Sequence, residues 1–495
     1  MDKKQMEKKE LINSTDEYLV RQKKVSDLKK KSIDCWPNLS NGYTEISQLL
    51  DAEISESIYK IAGRITGIRE HGKSIFITVH DSQKNKMQSY IKQNENNRDI
   101  FELIQKYFDI GDIIELSGTL FFTKTNEKTL NIQATKILSK CLHGLPSKYV
   151  GFENIEARYR QRYLDLLVND EVKTVFEKRT KIIKEIRKIL DENNYLEVET
   201  PMLHPIVGGA AAKPFKTHHN ALSSDFFLRI APELYLKRLV VGGFERVYEI
   251  NKNFRNEGVS IRHNPEFTML EFYTAYKNYE WAMEFVEEML RKICFITNQA
   301  FFSTWNEHTI DFSTSFDRLT PKEAVLRYGN FIEEELEEKR IDQTLKERNV
   351  SYAPTLSYHQ KIFILFEEFA EKKLIKPTFL INFPIELSPL TKRDPKNPTI
   401  APRFELFICG MEMSNGYNEL NDPFDQAMRF KDQVKEKEAG NEEAMYYDDE
   451  FITALEYALP PTVGVGIGID RITMIMTGAK SIKDVILFPT MKKIN

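Results

Sequence analysis

The chain has 495 residues, 41% hydrophobic and 29% charged, with Lys+Arg 70 against Asp+Glu 74 and a net charge of −4. This is globular composition, ample for a buried core and about three domain equivalents; it excludes a disordered chain, and the charge balance leaves nucleic-acid binding to local patches. Four scattered cysteines, Cys35, Cys141, Cys294 and Cys409, form no CxxC pair, which argues against a structural zinc site and fits free thiols in a reducing compartment. The N-terminus MDKKQMEKKE lacks an apolar signal core. The most apolar run, Thr462 to Met476, is rich in glycine and carries Asp470 and Arg471, so no membrane span is expected and a cytoplasmic protein follows.

Residues 1 to about 34 are charge-dense, with a basic run RQKKVSDLKKK at Arg21 to Lys31. Two readings stand: a helix whose basic face meets RNA phosphates, or a solvated helix. From Ser57 to Leu138 short alternating strands take over, YKIAGRITGIRE, SIFITVHD, KMQSYIKQ, DIIELSGTLFFTK and TLNIQATKILS, with a helical stretch from Arg98 to Phe108 after the third. Five strands with a helix after the third predict a small Greek-key barrel of the OB type. Such barrels bind single-stranded nucleic acid on aromatic platforms. Phe76 and Gln88 fall on adjacent strands where that work is done; Phe76 as core and Gln88 as plain surface is the alternative. The segment Cys141 to Leu167 is punctuated by Pro146 and Gly151 and runs into an Arg-rich helix.

Val172 to Leu190 has the 3.6-residue period of an amphipathic helix and leads into an alternating strand, Tyr195 to Leu203, ended by Pro201. In GGAAAKPFKTHH, Gly208 to His219, two glycines permit close approach of backbone to a ligand, or simply a flexible loop. Glu233, in APELYLK, opens a helix. Two strands follow, Phe244 to Arg255 and Glu266 to Tyr276, joined by a loop with Glu257, Gly258, Arg262, His263, Asn264 and Pro265. The strand period of two puts Arg255 with Asn253, Asn251 and Glu249, and Phe267 with Met269, Glu271 and Tyr273. An arginine fork there can grip a phosphate and a carboxylate, Phe267 can stack on a purine, and Glu271 with Tyr273 can face a cation. A solvated charged hairpin is the alternative.

Residues 316 to about 375 read as helices with polar connectors, Pro377 to Pro389 as strand, and TKRDPKNP as a candidate mobile lid. In RFELFICGMEMSNGYNELNDP, Arg403 to Pro423, Glu405 and Glu412 are an odd spacing apart. On one regular strand they would face oppositely, so a bulge at Gly410 is expected to bring them together, where they could hold a hard divalent cation such as Mg2+. A carboxylate in a surface salt bridge is the alternative. Asn415 and Glu419 are the remaining polar pair. GVGIGIDRITMIM, Gly464 to Met476, sets close-packed glycines before Arg471 near a helix start.

The run FRNEGVSIRHNPEFTMLEFY, Phe254 to Tyr273, resembles motif 2 of the class II aminoacyl-tRNA synthetases, and with APELYLKRLVVGGFERVYEINKNFRNEG it resembles the bacterial-type lysyl-tRNA synthetases over nearly the whole chain. The resemblance implies an α+β protein. An N-terminal anticodon-binding domain spans 1–145 (helical extension 1–56, OB barrel 57–145), and 146–170 is a linker and first catalytic helix. A class II catalytic domain, an antiparallel sheet flanked by helices, spans 171–495 with a helical insertion at 316–375. It implies that the barrel reads the anticodon of tRNA(Lys) through Phe76, Gln88 and Glu127. Gly209, Glu233, Arg255, Glu271, Tyr273, Asn415 and Glu419 would then bind lysine. Arg255, Glu257, His263, Asn264, Phe267, Glu405, Glu412 and Arg471 would bind ATP, with Mg2+ on Glu405 and Glu412, and Arg255 and Arg471 would be the catalytic residues. The helix and strand from Val172 to Leu203 resemble motif 1 and imply a homodimer. The pattern departs at Lys213, where the family commonly has Arg, and at Ala458, where it usually has Gly. Three rivals remain. An aspartyl or asparaginyl enzyme would line its pocket with cations. A paralogue that lysylates a translation factor would lack the barrel. A non-catalytic RNA-binding protein with a dead synthetase fold would have lost Arg255, Glu405, Glu412 or Arg471.

Overall fold

Ile61 and Ile65, then Ile75, Ile77 and Val79, then Met87 and Ile91 recur at even spacing, and the backbone answers with strands whose apolar side turns inward. The computed structural model describes residues 3–38, 41–146, 152 and 154–493, with side chains from residue 16 on, and falls into two units, Met1–Gly151 and Phe152–Asn495. Gly151, expected to punctuate the linker, lies outside the described residues.

In the first unit α1 (Lys3–Lys30) and α2 (Ile46–Asp51) precede β1 (Tyr59–His71), β2 (Ser74–His80) and β3 (Lys86–Lys92); α3 (Arg98–Tyr107), β4 (Ile113–Phe122) and β5 (Lys128–Ser139) follow. The strands close into a barrel in the order β1-β2-β3-β5-β4, the OB arrangement. Phe101 and Ile104 of α3 join its core. Part of the basic run is structural. Arg21 is buried and donates to the carbonyls of Ile110, Cys141 and His143, while Lys24 pairs with Asp109 at 2.7 Å.

The second unit starts with α4 (Ile155–Arg160), α5 (Arg162–Val168), α6 (Asp170–Glu192), β6 (Leu196–Glu197), β7 (Leu203–His204), β8 (Phe215–His219) and β9 (Ser224–Leu228). Next come α7 (Glu233–Val241), β10 (Arg246–Phe254), β11 (Glu266–Ala275), α8 (Tyr279–Asn298), β12 (Phe302–Trp305), β13 (His308–Asp311), β14 (Asp317–Leu319), α9 (Pro321–Tyr328), α10 (Ile341–Glu347) and α11 (Tyr358–Phe369). Then β15 (Thr378–Pro384), β16 (Ile400–Ile408), β17 (Met411–Asn418), α12 (Pro423–Glu438), α13 (Asp449–Glu456), β18 (Thr462–Gly468) and α14 (Ile469–Thr477) follow. One sheet runs β14-β15-β16-β17-β18-β11-β10-β6, antiparallel except where β14 and β6 join its edges in parallel.

Alternation gives this sheet two faces. Leu270 and Phe272 of β11, Val463, Val465 and Ile467 of β18, and Phe404, Leu406 and Ile408 of β16 share a core with Ile182, Ile186 and Leu190 of α6 and Val286 and Met289 of α8. The residues between them, Met269, Glu271 and Tyr273, Gly464, Gly466 and Gly468, Arg403 and Glu405, line a cleft on the other face.

Three expectations need correction. The stretch Tyr195 to Leu203 is not a continuous strand. Only Leu196–Glu197 and Leu203–His204 are strand, and Leu196 and Leu203 are half exposed, so alternation there does not mark a covered sheet face. The stretch read as helical from residue 316 also supplies an edge strand, β14. The run from Arg403 is a hairpin rather than one strand. Its two-residue turn is Cys409 and Gly410, with φ of 51° and 64°. A chain that doubles back pairs residues of odd separation, Phe407 with Glu412, so the odd spacing is what gives Glu405 and Glu412 a common face. The bulge lies between Leu406 and Phe407, whose partners are Ser414 and Glu412; it leaves Met413 over and brings Glu412 into phase with Asn415, Tyr417 and Glu419.

Ala458 adopts φ 72°. A side chain in this left-handed region costs roughly 1–2 kcal/mol. Ala458→Gly is therefore expected to stabilise the protein by about 1 kcal/mol. The measurement is the denaturation midpoint, and a lower midpoint in the variant would show that contacts of the methyl group outweigh the backbone.

Candidate active site

The cleft encloses about 360 Å3. Strands β10 and β11 pair from Arg246↔Thr274 to Phe254↔Glu266, so Glu249 lies opposite Glu271 and Asn253 opposite Phe267. Arg255 extends this ladder: its amide donates to the Pro265 carbonyl at 2.9 Å, and its guanidinium lies 5.2 Å from the Phe267 ring centroid. Its Nε is buried without a hydrogen-bond partner among the described residues. A forked cation standing beside an aromatic plate is thus in place, with unused donor capacity.

One end of the cleft is acidic. Glu233 is the first residue of α7 and accepts from Tyr417 Oη at 2.8 Å on both carboxylate oxygens. Glu271, from the middle of β11, accepts from Tyr273 Oη at 3.2 Å. Glu419 follows β17 and leaves Oε1 buried with no hydrogen-bond partner among the described residues. Burial, with the Glu233 charge adding to it, pushes the Glu271 carboxyl up to about 8. Burial likewise holds Glu419 well above the usual carboxylate range, although Lys237 opposes it. Asn415 accepts from Arg403 Nε at 3.1 Å, which fixes its amide. Gly209, at φ 88°, sits with its missing Cβ 3.1 Å from Glu233 Cβ, so backbone alone fits there.

The other end is basic. Arg471 is the third residue of α14; Asp470 before it accepts from the Thr268 amide at 2.7 Å and pairs with Arg179 of α6 at 2.6 Å, which pins the helix start to the sheet. Arg471 donates to the Glu412 carbonyl at 2.6 Å and contacts His263 Nε2 at 3.0 Å. Burial, then the Arg471 charge, lowers the His263 pKa, which keeps the ring neutral. Arg262 donates to the Gly410 carbonyl at 2.7 Å and so ties the loop to the hairpin turn. Asn264 donates to the Glu266 carbonyl at 2.6 Å and Glu257 lines the mouth. Glu405 accepts from Arg403 at 2.5 Å; burial raises its carboxyl to about 7, with Arg403 opposing and Glu412 adding. Glu405 and Glu412, the second disfavouring the charge of the first, are a donor set suited to a hard divalent cation.

All the residues expected to meet lysine and ATP therefore line one cleft. Sequence reasoning missed Lys237, Arg403 and Tyr417. Lys237 is fully buried between Glu233 and Glu419, and the Glu233–Lys237 spacing of four on a helix was the available signal. Lys213 pairs with Glu442 at 2.5 Å rather than entering the cleft centre. A methyl group at Gly464 would lie 2.2 Å from Glu419 Oε1 and 2.5 Å from the Tyr273 ring. Gly464→Ala is accordingly expected to weaken binding at the acidic end at least tenfold, measured by calorimetry, with ATP affinity retained; unchanged affinity would show that the cleft floor yields.

On the barrel, Phe76 pairs across strands with Tyr90, and their rings lie 4.8 Å apart; Phe121 extends the row at 5.9 Å from Tyr90. Gln88 is buried, accepting from Arg69 at 3.0 Å and donating to Thr129 Oγ1 at 3.0 Å, so it is neither core nor free surface. Glu127 stands in the turn before β5, 3.8 Å from Lys86, next to the Gln88↔Thr129 pair. The three residues share one side of the barrel. Tyr90, Phe121 and Arg69 were not singled out from sequence.

Known proteins resemble both units of the chain. A family model described as tRNA synthetases class II (D, K and N) matches residues 154–492, and one described as an OB-fold nucleic acid binding domain matches residues 59–138. The lysine–tRNA ligase of Magnetococcus marinus is 48% identical over 437 residues, 88% of this chain and 87% of that protein. The lysine–tRNA ligase of Mannheimia succiniciproducens is 46% identical over 492 residues, 96% of this chain and 97% of its own length. That of Helicobacter pylori strain P12 is 48% identical over 453 residues, 91% and 90% of the two chains.

Proposed function

The chain belongs to the class II tRNA synthetases of the D, K and N group, and from that premise we propose that it is a lysine–tRNA ligase. It activates L-lysine with ATP to lysyl-adenylate and pyrophosphate, then transfers the lysyl group to the 3′ end of tRNA(Lys). The observation that carries this reading is the acidic end of the cleft. Three buried carboxylates, Glu233, Glu271 and Glu419, gather there; Lys237 pairs with Glu233 and Glu419, and no cation among the described residues forms an ion pair with Glu271. Buried carboxylates without partners are costly, so such a pocket takes a cation. An aspartyl or asparaginyl enzyme would need the opposite lining. The barrel over 59–138 favours tRNA over a translation factor as acceptor.

The reaction is an in-line attack of the lysine carboxylate on the ATP α-phosphorus, and the protein's work is positioning and charge neutralisation. Arg255 grips the substrate carboxylate and the α-phosphate together, which sets the attack distance and stabilises the added charge. Phe267 stacks the adenine, with Glu257 and Asn264 beside it. Arg471 and neutral His263 hold the departing pyrophosphate. Glu405 and Glu412 fit Mg2+, which when bound supplies positive charge to the phosphates. Glu271, Tyr273 and Glu419 hold the ε-ammonium, Glu233 and the Gly209 backbone the α-amino group, and Asn415 the pocket's polar edge. In the second step the 3′-terminal hydroxyl attacks the activated carbonyl, the bond from that carbonyl to the phosphate oxygen breaks and AMP leaves with the hydroxyl proton released, while Phe76, Gln88 and Glu127 read the anticodon. Motif 1 supports a homodimer, and the half-exposed Leu196 and Leu203 are apolar surface that a second copy would cover. Four free cysteines agree with a cytoplasmic enzyme, and no described helix is long and apolar enough to cross a membrane.

The test is ATP–pyrophosphate exchange across the twenty amino acids and ornithine, with and without tRNA. Lysine is expected to drive exchange. Ornithine, one methylene shorter, should fall roughly 10–200-fold below it, and leucine on the order of 10⁴-fold or more. Ornithine no better than leucine would remove the acidic pocket from the account.

A further inference from the structure

Helix α7 places a lysine beneath the cleft that no step of the reaction uses. Lys237 has no exposed surface; its Nζ lies 2.6 Å from Glu233 Oε1 and contacts Glu419 Oε2. The ammonium also lies 5.9 Å from the Tyr417 ring centroid and 5.6 Å from that of Phe451 of α13. Burial works against its charge, but Glu233 and Glu419 more than offset this, so Lys237 is an ammonium at neutral pH. Tyr417 on β17 also faces it, and Glu271 and Tyr273 on β11 interact with the same Glu419 carboxyl. The nearby arginines are already committed: Arg229 to Glu249 at 2.7 Å and Arg403 to Glu405 at 2.5 Å.

The charges of the pocket can then be matched. With the two substrate ammonium groups in place to hold Glu271 and Glu419 ionised, Glu233, Glu271 and Glu419 carry three negative charges and Lys237 returns one positive. The two left over equal the α- and ε-ammonium groups of a diamino acid, whose carboxylate goes to Arg255. A monoamino acid would leave one buried carboxylate without a partner. We propose that Lys237 is a specificity-determining residue, a built-in ammonium that satisfies one of three buried carboxylates and leaves a deficit that a substrate with two ammonium groups fills. The inference rests on the reading of this cleft as a lysine site.

The experiment is lysine binding without ATP, by calorimetry from pH 6.5 to 8.5, on the wild type, Lys237→Met and Lys237→Gln, each checked for folding by circular dichroism. Removing the ammonium raises the pKa of the carboxylates beside it, so more of them are protonated near neutrality, and a protonated carboxyl pairs poorly with an ammonium. The ratio of variant to wild-type Kd is therefore expected to be about tenfold or more at pH 6.5 and to shrink to about threefold or less at pH 8.5. Because the ratio is taken at each pH, ionisation of free lysine cancels. Lys237→Gln keeps a hydrogen-bonding side chain without the charge and should give the same slope, so it carries the test if the methionine variant folds poorly. Lys237→Arg, which keeps the charge, should give a ratio independent of pH. A pH-independent loss in the neutral variants would mean that Lys237 only fills space, and overturns the proposal. Failure of the wild type to bind lysine would instead overturn the functional reading beneath it.

Discussion

Arg255→Gln is expected to lower lysine-dependent pyrophosphate exchange by on the order of 10²–10³-fold, with most of the loss in kcat. The side chain is asked to bind two anions that must approach each other, and their repulsion peaks as the new bond forms. Its contribution is therefore larger in the transition state than in either ground-state complex. The structure prepares the residue for this. The backbone of Arg255 is fixed to Pro265, its guanidinium lies against Phe267, and its Nε has no hydrogen-bond partner among the described residues. Arg255→Lys keeps the charge but loses the planar fork, and should also fall at least about tenfold. Steady-state exchange kinetics decide the matter, with folding checked by circular dichroism. A well-folded Arg255→Gln enzyme within threefold of wild type would show that another group performs the bridging.

Glu419→Gln should act on the other half of the reaction. The amide keeps the shape of the side chain and removes one charge from a fully buried set. Truncating one partner of a buried charge pair costs about 2–5 kcal/mol, which corresponds to a rise of roughly 30-fold or more in the lysine KM. The ATP KM should not move, because Glu419 is at the acidic end, away from Arg471 and His263. If the lysine KM stays at its wild-type value, the ε-ammonium is held elsewhere. The two variants thus separate the ends of the cleft: one impairs chemistry with both substrates bound, the other impairs recognition of a single substrate.

How far these assignments could be read without coordinates depends on where the determining contacts lie. Strands β10 and β11 were legible because alternation is local: each residue's face follows from its neighbours two positions away. The barrel was legible for the same reason, and the closed order β1-β2-β3-β5-β4 agrees with the expected OB type. The β16–β17 hairpin was not legible as a hairpin. Tight two-residue turns usually announce themselves with Asn-Gly or Asp-Gly, whereas here Cys409 occupies the left-handed position and carries no such signal. The bulge at Met413 had no sequence mark either, since glycine was the cue and glycine had been used in the turn. Lys237 and Arg403 were hidden for a different reason. Both look like ordinary surface charges in the sequence. The burial of Lys237 depends on Glu419, 182 positions away, which only the folded chain brings together, while half-buried Arg403 meets Asn415 across the hairpin that the sequence did not announce. Gln88 shows the converse: the resemblance singled it out, but its bonds to Arg69 and Thr129 are a product of barrel closure.

The glycines of β18 have one more consequence. Gly464, Gly466 and Gly468 occupy every cleft-facing position of that strand, so the pocket stands on bare main chain. A platform without side chains offers evolution no letters to rewrite there. Any replacement adds bulk: at Gly464 the first added carbon meets Glu419 and Tyr273, and at Gly466 it meets the movable end of Met269. Paralogues built on this scaffold that came to accept a different amino acid would have had to change the walls, at positions such as 233, 271, 415 and 419, while the ground beneath them stayed as it is.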